Sequence, residues 1–489
     1  MTRRFIVGLS AATVLVVAAV PAASAAPVSA SFPGGRFPLG LQGVPARDRA
    51  AVAPGIDLFK IRYGKATEGW AVTVLMPNGR DHGTQADADA KAIEVQEAGE
   101  SPSVLRFIRP GVADDPEREY FAVRVGVWPF KQRAKADKMV AKLKKAGVRA
   151  KTDYLGDDGF DTTGPWNMNV LMVNGRTFRG NYVASVGKSV AKRETTSAMS
   201  KQVKAIAGVN GGFFNIHTPK NLQGDPMGVS VVGGKLLSEA VPGRSALILN
   251  GRSARITELK TQLTAVGSDG ANEVQGINRA AGAGELVAYT EEFGQKTPAN
   301  GGSEAVVDLA TGTVVKVRQA GGAVPRGTWV LHGSGDSAAW INEHAWAEWK
   351  LSLETKVIDL RTGKAVPLTP QTHIIGGSVG LVRNGNINIT AKANGHASVN
   401  MILRRHPRTM AGVTRSGGLV LATVDGRRPG ETVGASMVEA AQLMRWLGAK
   451  NAINLDGGGS TAMVVRHRVV NRPSDGRERT VGDGLYITR

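Results

Sequence analysis

The sequence predicts an α+β chain in which a small βαββαβ unit precedes a larger β-rich body. Three observations predict it. Between 70 and 156 the apolar pattern runs strand, helix, strand, twice over. From about Gly164 onward, short apolar runs alternate with N-G, G-G and D-G turns. The 62 glycines and 42% hydrophobic residues describe a folded, turn-rich chain.

Residues 1–25 read as an export leader: Arg3 and Arg4, an apolar stretch from Ile6 to Val20, and Ala23-Ser24-Ala25 before the cleavage point. That stretch is short for a membrane span, and no later one is long and apolar enough. A secreted, soluble, cell-wall-associated chain with no transmembrane segment in its mature form is therefore expected. Cysteine is absent, which excludes disulfides and a lipid-modified N-terminal cysteine. Residues 26–55, rich in Pro, Gly and Ala, read as a linker. A net charge of +20 points to a polyanionic neighbour. No helix-turn-helix, zinc-finger or aromatic RNA-binding signature is present, so anionic sugar-phosphate polymer is expected rather than nucleic acid.

In the small unit, strands are expected at 71–76, 104–108, 120–127 and 148–154, with helices at 85–98 and 131–146. Ala136, Met139, Val140 and Leu143 give the second helix one apolar face. In the strand before it, Phe121, Val123, Val125 and Val127 alternate inward, leaving Tyr120, Ala122, Arg124 and Gly126 outward. Basic residues crowd 131–151 against the lone acid Asp137, a pattern that usually marks a solvated face. The string Tyr120-Phe121-Ala122-Val123-Arg124-Val125-Gly126-Val127-Trp128, with this helix and the Leu143–Val148 stretch, resembles a SPOR domain. That family has a ferredoxin-like βαββαβ fold and binds peptidoglycan glycan strands on its open sheet face. The resemblance implies Tyr120, Arg124 and Trp128 as glycan contacts, although Arg124 stands where a glutamine is common.

The body is read as one domain, 164–489. Hairpins are expected at Asn174-Gly175, Gly233-Gly234, Asn250-Gly251 and Asn384-Gly385. Helical patterns fall at 194–205, 338–347 and 437–447, and 258–372 reads as an inserted β-rich subdomain. Near the C-terminus, the apolar lead-in Ala452, Ile453, Leu455 delivers Asp456 to the run Gly457-Gly458-Gly459-Ser460-Thr461. A carboxylate beside such a loop suits acid/base or nucleophilic work on a sugar or phosphate ester.

Four more pieces accompany it: Asn210-Gly211-Gly212-Phe213-Phe214-Asn215, Pro407-Arg408-Thr409, Asp425-Gly426-Arg427, and Pro473-Ser474-Asp475-Gly476-Arg477-Glu478-Arg479. In this order the five segments resemble the phosphodiester glycosidase family, and the helix at 437–447 carrying Glu439 also matches. The resemblance implies a hydrolase that splits the glycosidic bond of a sugar-1-phosphodiester. Such a bond expels a stable phosphomonoester, so it demands cationic donors around phosphate and a carboxylate at the anomeric centre. Asp456 is assigned to that centre, Glu478 is the second carboxylate, and Asn210 is a sugar or phosphate ligand. Arg408, Arg427 and Arg479 are phosphate clamps, because guanidinium forks match phosphate oxygens. Gly211, Gly212, Asn215, Asp425, Gly457, Gly458, Gly459, Ser460, Thr461, Ser474 and Asp475 complete the binding set. Asp425 serves equally as a turn-former, Asn215 and Ser474 as turn caps, and His406 as a proton donor or an ordinary strand histidine.

Gly376-Gly377-Ser378-Val379-Gly380 fits a hydrolase elbow only if a helix follows, and a hairpin pattern follows instead. Gly187-Lys188-Ser189 lacks the first glycine of a phosphate loop, having Tyr182 there. The histidines show no paired metal spacing, so no cofactor is obligatory, with Ca²⁺ on Asp and backbone oxygens left open. The reading is a cell-envelope hydrolase held on peptidoglycan by the small domain. Its alternatives are a non-catalytic glycan binder, or a same-fold hydrolase of ordinary glycosides.

Overall fold

The computed structural model describes Phe32, 34–41 and 43–489; the leader lies outside these residues. Its backbone is an antiparallel eight-stranded sheet. In spatial order the strands are Ala46–Ala53, Ile56–Tyr63, Trp166–Val173, Leu419–Val424, Arg408–Thr414, Ala449–Asn454, Gly380–Arg383 and Asn386–Thr390. Side-chain alternation gives this sheet two apolar faces. Val170, Met172, Val420 and Ala422 turn to one side, and Leu171, Val173, Leu419 and Leu421 to the other.

The second face packs on a five-stranded sheet containing Met463–Val465, Ala207–Asn210 and Gly484–Thr488. The first face is covered by the helix Met437–Trp446 and by the small domain. A capping box starts that helix: Ser436 Oγ accepts from Glu439 N at 3.1 Å and the Glu439 carboxylate from Ser436 N at 2.8 Å. Glu439 also takes Arg405 at 2.7 Å, so one carboxylate both caps the helix and ties it to the chain entering the site.

The linker expected at 26–55 is, over its second half, an edge strand of the main sheet. Ala46–Ala53 pairs with Ile56–Tyr63 across the Pro54-Gly55 turn, and Arg47, Asp48 and Arg49 keep the edge charged. Phe37 is buried against Tyr63, Trp166 and Trp446. Asn174-Gly175 does not form a hairpin, because Trp166–Val173 is flanked by Ile56–Tyr63 and Leu419–Val424. Within 258–372, the long strand Ser253–Gly267 pairs with Leu351–Asp359 as an arm. The arm leads to a separate five-stranded sheet on which the helix Asp336–His344 packs.

The small domain has strands Trp70–Val74, Ser103–Arg109, Arg118–Trp128 and Ala150–Tyr154 and helices Gln85–Glu97 and Arg133–Lys145. Its strand order, second, third, first, fourth, is the ferredoxin-like one, with Ala88, Val95, Ala136 and Leu143 of the helices in its core. The opposite sheet face is not open. Phe107 and Ala122 are buried against Val399 and Leu403 of the body, with Tyr120 and Phe160 packed beside them. Arg124 pairs with Asp158, which also holds Arg404 at 2.5 Å.

Gly126, at φ 70°, is a bulge, so Val125 and Val127 oppose the consecutive residues Val72 and Ala71. Past it the alternation flips. Val127 is 66% exposed instead of inward, and Trp128 opposes Trp70 on the helix side. Tyr120, Arg124 and Trp128 therefore share no free surface, and the sheet offers a glycan strand no room.

Asp158→Ala leaves Arg124 without its carboxylate and Arg404 with Asp81 alone. A loss of about 3 kcal/mol is expected for breaking such a buried pair, measured by urea unfolding.

Candidate active site

The strand Ala449–Asn454 of the large sheet and the strand Ala207–Asn210 of the smaller one end side by side, and the Asn210 amide fastens them. Its Nδ2 donates to the Asp456 carbonyl at 2.8 Å. Its Oδ1 accepts from Thr409 Oγ1 at 2.7 Å and from Ala462 N at 3.1 Å. With its hydrogen-bonding groups engaged and no exposed surface, Asn210 is a positioning residue rather than the substrate ligand expected. Asp456 N donates to the Gly211 carbonyl at 3.0 Å and Gly458 N to the Pro407 carbonyl at 2.9 Å, which fixes the loop between them.

Asp456 has a carboxyl neighbour that sequence reasoning missed. Asp483 is buried, accepts from Gly212 N at 2.8 Å, and keeps its other oxygen without a partner. A Cβ on Gly211 would overlap this carboxyl, which explains the glycine. Burial pushes Asp456 up to about 6, against the opposing pull of the nearby Ser460 hydroxyl, the Gly457 N–H, Arg479 and Arg427. Burial pushes Asp483 up to about 7, opposed by the Gly212 N–H and reinforced by the charge of Asp456. The two acids thus ionise in sequence.

Glu478 is not the second acid. Its carboxylate accepts from Ser197 N at 2.7 Å and Ser197 Oγ at 2.6 Å, in the first turn of the helix Thr196–Gln202, where free N–H groups attract an anion.

Two guanidiniums, Arg427 and Arg479, act on Asp456, and a third, Arg408, lies close enough to Arg427 to feel its charge. Arg408 is buried and makes no ion pair among the described residues. It donates to the carbonyls of Ala435 at 2.9 Å and Met401 at 3.0 Å, so it clamps backbone, and its remaining nitrogen touches only Met401 Sδ at 3.6 Å. Burial, then repulsion from Arg427, pulls it down to about 10, which still leaves it charged at neutral pH. Arg427 sits at φ 55°, a strained conformation for a non-glycine residue, and donates to His406 Nδ1 at 3.2 Å. Arg479 is held by Asp475 at 2.6 Å. Arg427 is lowered by burial and by Arg479, the mark of cations crowded together.

A guanidinium only donates, so His406 Nδ1 is an acceptor and its proton sits on Nε2, facing the Asn400 carbonyl at 3.0 Å. Burial and the arginines push this ring down to about 3, which makes it a neutral strut and not a proton donor.

The glycine run serves closeness rather than donation. Gly458, Ser460 and Thr461 spend their N–H groups on Pro407, Gly457 and Gly458 carbonyls. A Cβ at Gly459 would overlap Arg479 and Asp475, and one at Gly458 would stand 3.2 Å from Arg427 Nη1. Thr461 is buried, its carbonyl accepting from Asn471. Ser474 reaches Asp475 at 3.4 Å, and Asn215 closes a turn by accepting from His217 N at 3.0 Å. Asp425 is a turn-former: it accepts from Asn471 and the Arg472 N–H, both at 3.1 Å, and borders a different cleft with Lys60 and Asn167. Among the described residues, no group of three or more His, Cys, Asp or Glu could hold a metal ion.

Beyond Gly212 the wall continues through Phe213 of the same motif and then through Met227, Arg244 and His396, which carry no sequence signal. The Phe213 ring stacks on His396, centroids 5.1 Å apart at 27°. Met227 N donates to the Phe213 carbonyl at 2.7 Å, and the Met227 carbonyl accepts from Arg244. His396 Nε2 and Arg244 Nε are buried without partners.

Fold and site together define a β-sheet protein with an acid pair set among guanidiniums, an arrangement suited to an anionic ester. Comparison with known proteins narrows this. Residues 301–488 match the phosphodiester glycosidase family. The match begins inside the 258–372 segment and omits the Asn210–Asn215 stretch. The mouse N-acetylglucosamine-1-phosphodiester alpha-N-acetylglucosaminidase is 36% identical over 120 residues, which is 22% of this chain and 22% of that enzyme. A prophage-derived uncharacterized protein of Bacillus subtilis (strain 168) is 38% identical over 99 residues, 20% of this chain and 15% of its own. The chain thus spans about a fifth or less of these relatives' length. A solved structure from Burkholderia pseudomallei, described as a candidate exported protein, covers 94% of this chain and 99% of its own. It has TM-score 0.81 and 28% identity. A hypothetical protein from Synechocystis shares the fold at TM-score 0.56 and 15% identity, over 91% of this chain and 79% of its own.

A carboxyl whose folded value is raised binds its proton more tightly folded than unfolded. Stability is then full below about 4 and lost as pH rises through about 7 for Asp483. Asp483→Asn is expected to melt several degrees above the native chain at pH 8, with the gain vanishing near pH 4 in thermal scans.

Proposed function

We propose that the chain is an exported hydrolase that cleaves the glycosidic bond of a sugar-1-phosphodiester. The observation that carries this reading is the placing of Arg427 and Arg479 beside Asp456, with Arg427 making no ion pair among the described residues. Crowded like charges are costly to hold together, and a phosphate bound among them removes that cost. As the C1–O bond breaks, negative charge gathers on the departing phosphomonoester, where the guanidiniums stabilise it more than in the bound substrate. Asp456, ionised above about 6, meets the positive charge growing at C1, as nucleophile or as base toward water. Asp483 keeps its proton to about 7, so near neutrality one acid is charged and its neighbour is not.

The natural substrates in this reading are sugar-phosphate polymers of the cell envelope. Support comes from the net charge of +20 and from the basic helix Arg133–Lys145, whose Lys135, Lys138, Lys142, Lys144 and Lys145 are exposed. That helix, not the covered sheet, is the small domain's surface for anionic polymer.

A panel of synthetic sugar-1-phosphodiesters tests the proposal. Free sugar plus phosphomonoester is expected; sugar phosphate plus alcohol, or no turnover, refutes it. kcat/KM should fall about tenfold per pH unit below about 6 as Asp456 takes up its proton. Asp456→Asn should cost roughly 10³-fold or more in kcat with the fold intact by circular dichroism. Gly459→Ala, which displaces the Arg479–Asp475 pair, should raise KM by roughly tenfold.

A further inference from the structure

We propose that Phe213, His396 and Arg244 form a second subsite, which takes a ring bearing another anion on the leaving-group side of the scissile diester. This rests on the hydrolase reading above and adds the substrate's class: a polyanionic repeat rather than a diester with a neutral cap.

The wall is continuous with the acid pair. Gly212 N is bonded to Asp483, and the next residue supplies the Phe213 ring that stacks on His396. His396 feels the charges of both Arg244 and Arg408, and we assign the side of the site that these cations occupy to the departing group. Arg244 makes no ion pair among the described residues. One Nη donates to the Met227 carbonyl, and Nε is buried without a partner. Burial alone pulls its guanidinium below the ordinary arginine value, so the folded chain bears a desolvation cost that a carboxylate or phosphate would offset.

His396 is held neutral, its value pushed down to about 4 by burial and the two arginines. Its Nε2, buried and unpartnered, suits a hydroxyl rather than a charged group. Aromatic ring, neutral hydrogen-bonding nitrogen and fixed cation are together the requirements of an acidic or phosphorylated sugar. The half-exposed Met227 forms the rim.

Steady-state kinetics on three sugar-1-phosphodiesters test this: one with a neutral alkyl leaving group, one extended by a second phosphodiester-linked sugar, one extended by a uronic acid. At least one charged extension should lower KM by about tenfold relative to the neutral compound, and which one does so identifies the anion. Arg244→Ala should raise KM about tenfold for that substrate but less than about threefold for the neutral one, with Arg244→Lys restoring part of the preference. Titration of the charged substrate into Asp456→Asn, with and without Arg244→Ala, gives the same comparison as binding alone. Equal KM values for all three substrates, or an equal Arg244→Ala loss on all, overturns the subsite and leaves the hydrolase reading standing. No cleavage of any substrate overturns both.

Discussion

One buried side chain, the amide of Asn210, sets the geometry on which the site depends. Its oxygen takes Thr409 and Ala462, and its nitrogen holds the Asp456 carbonyl. Three stretches far apart in sequence are thereby fixed at one point between the two sheets. Asn210, Thr409 and Ala462 are buried, so each of these groups is costly to leave unpaired and the arrangement is close to all-or-none. Thr409 is also the residue after Arg408, so the amide that positions the acid positions a cation as well.

Around that point the chain accepts two kinds of electrostatic cost. Acids are buried enough to hold protons toward neutrality, and Arg408 and Arg427 make no ion pair among the described residues. Neither feature serves stability by itself. Together they pre-organise a place for a ligand that is negative at one end and becomes positive at the other, without reorganisation when it arrives. The glycines allow the approach: where Gly459 and Gly458 lie, guanidiniums rest directly on backbone.

Much of this was legible from local pattern. Strand and helix periods placed the small domain's elements within a few residues, because periodicity depends only on neighbours along the chain. What failed depended on distant partners. The alternation of the strand Arg118–Trp128 breaks at a single bulged glycine, and nothing local distinguishes Gly126 from an ordinary strand glycine. The 46–53 segment looked like linker because an edge strand buries little of its own surface. Glu478 and Asp483 are both acids in the last dozen residues. Which one faces Asp456 is decided by a helix N-terminus that claims Glu478 and a backbone N–H that claims Asp483. The only local hint for Asp483 was an acid between two glycines ahead of the final apolar run. Arg244 and His396 gave no hint, because they meet Phe213 only through the folded wall.

The contact between the small domain and the Arg427 loop carries one more consequence. Gly430 has no Cβ, and the Phe130 ring occupies the place where one would be, while Tyr154 Oη accepts from Gly430 N at 3.4 Å. Two side chains of the small domain therefore brace the turn that presents Arg427. The domain is not an interchangeable attachment: a chimera carrying a different N-terminal unit would inherit the acids and lose the scaffold of a principal cation. Recombination between relatives would have to move both pieces together.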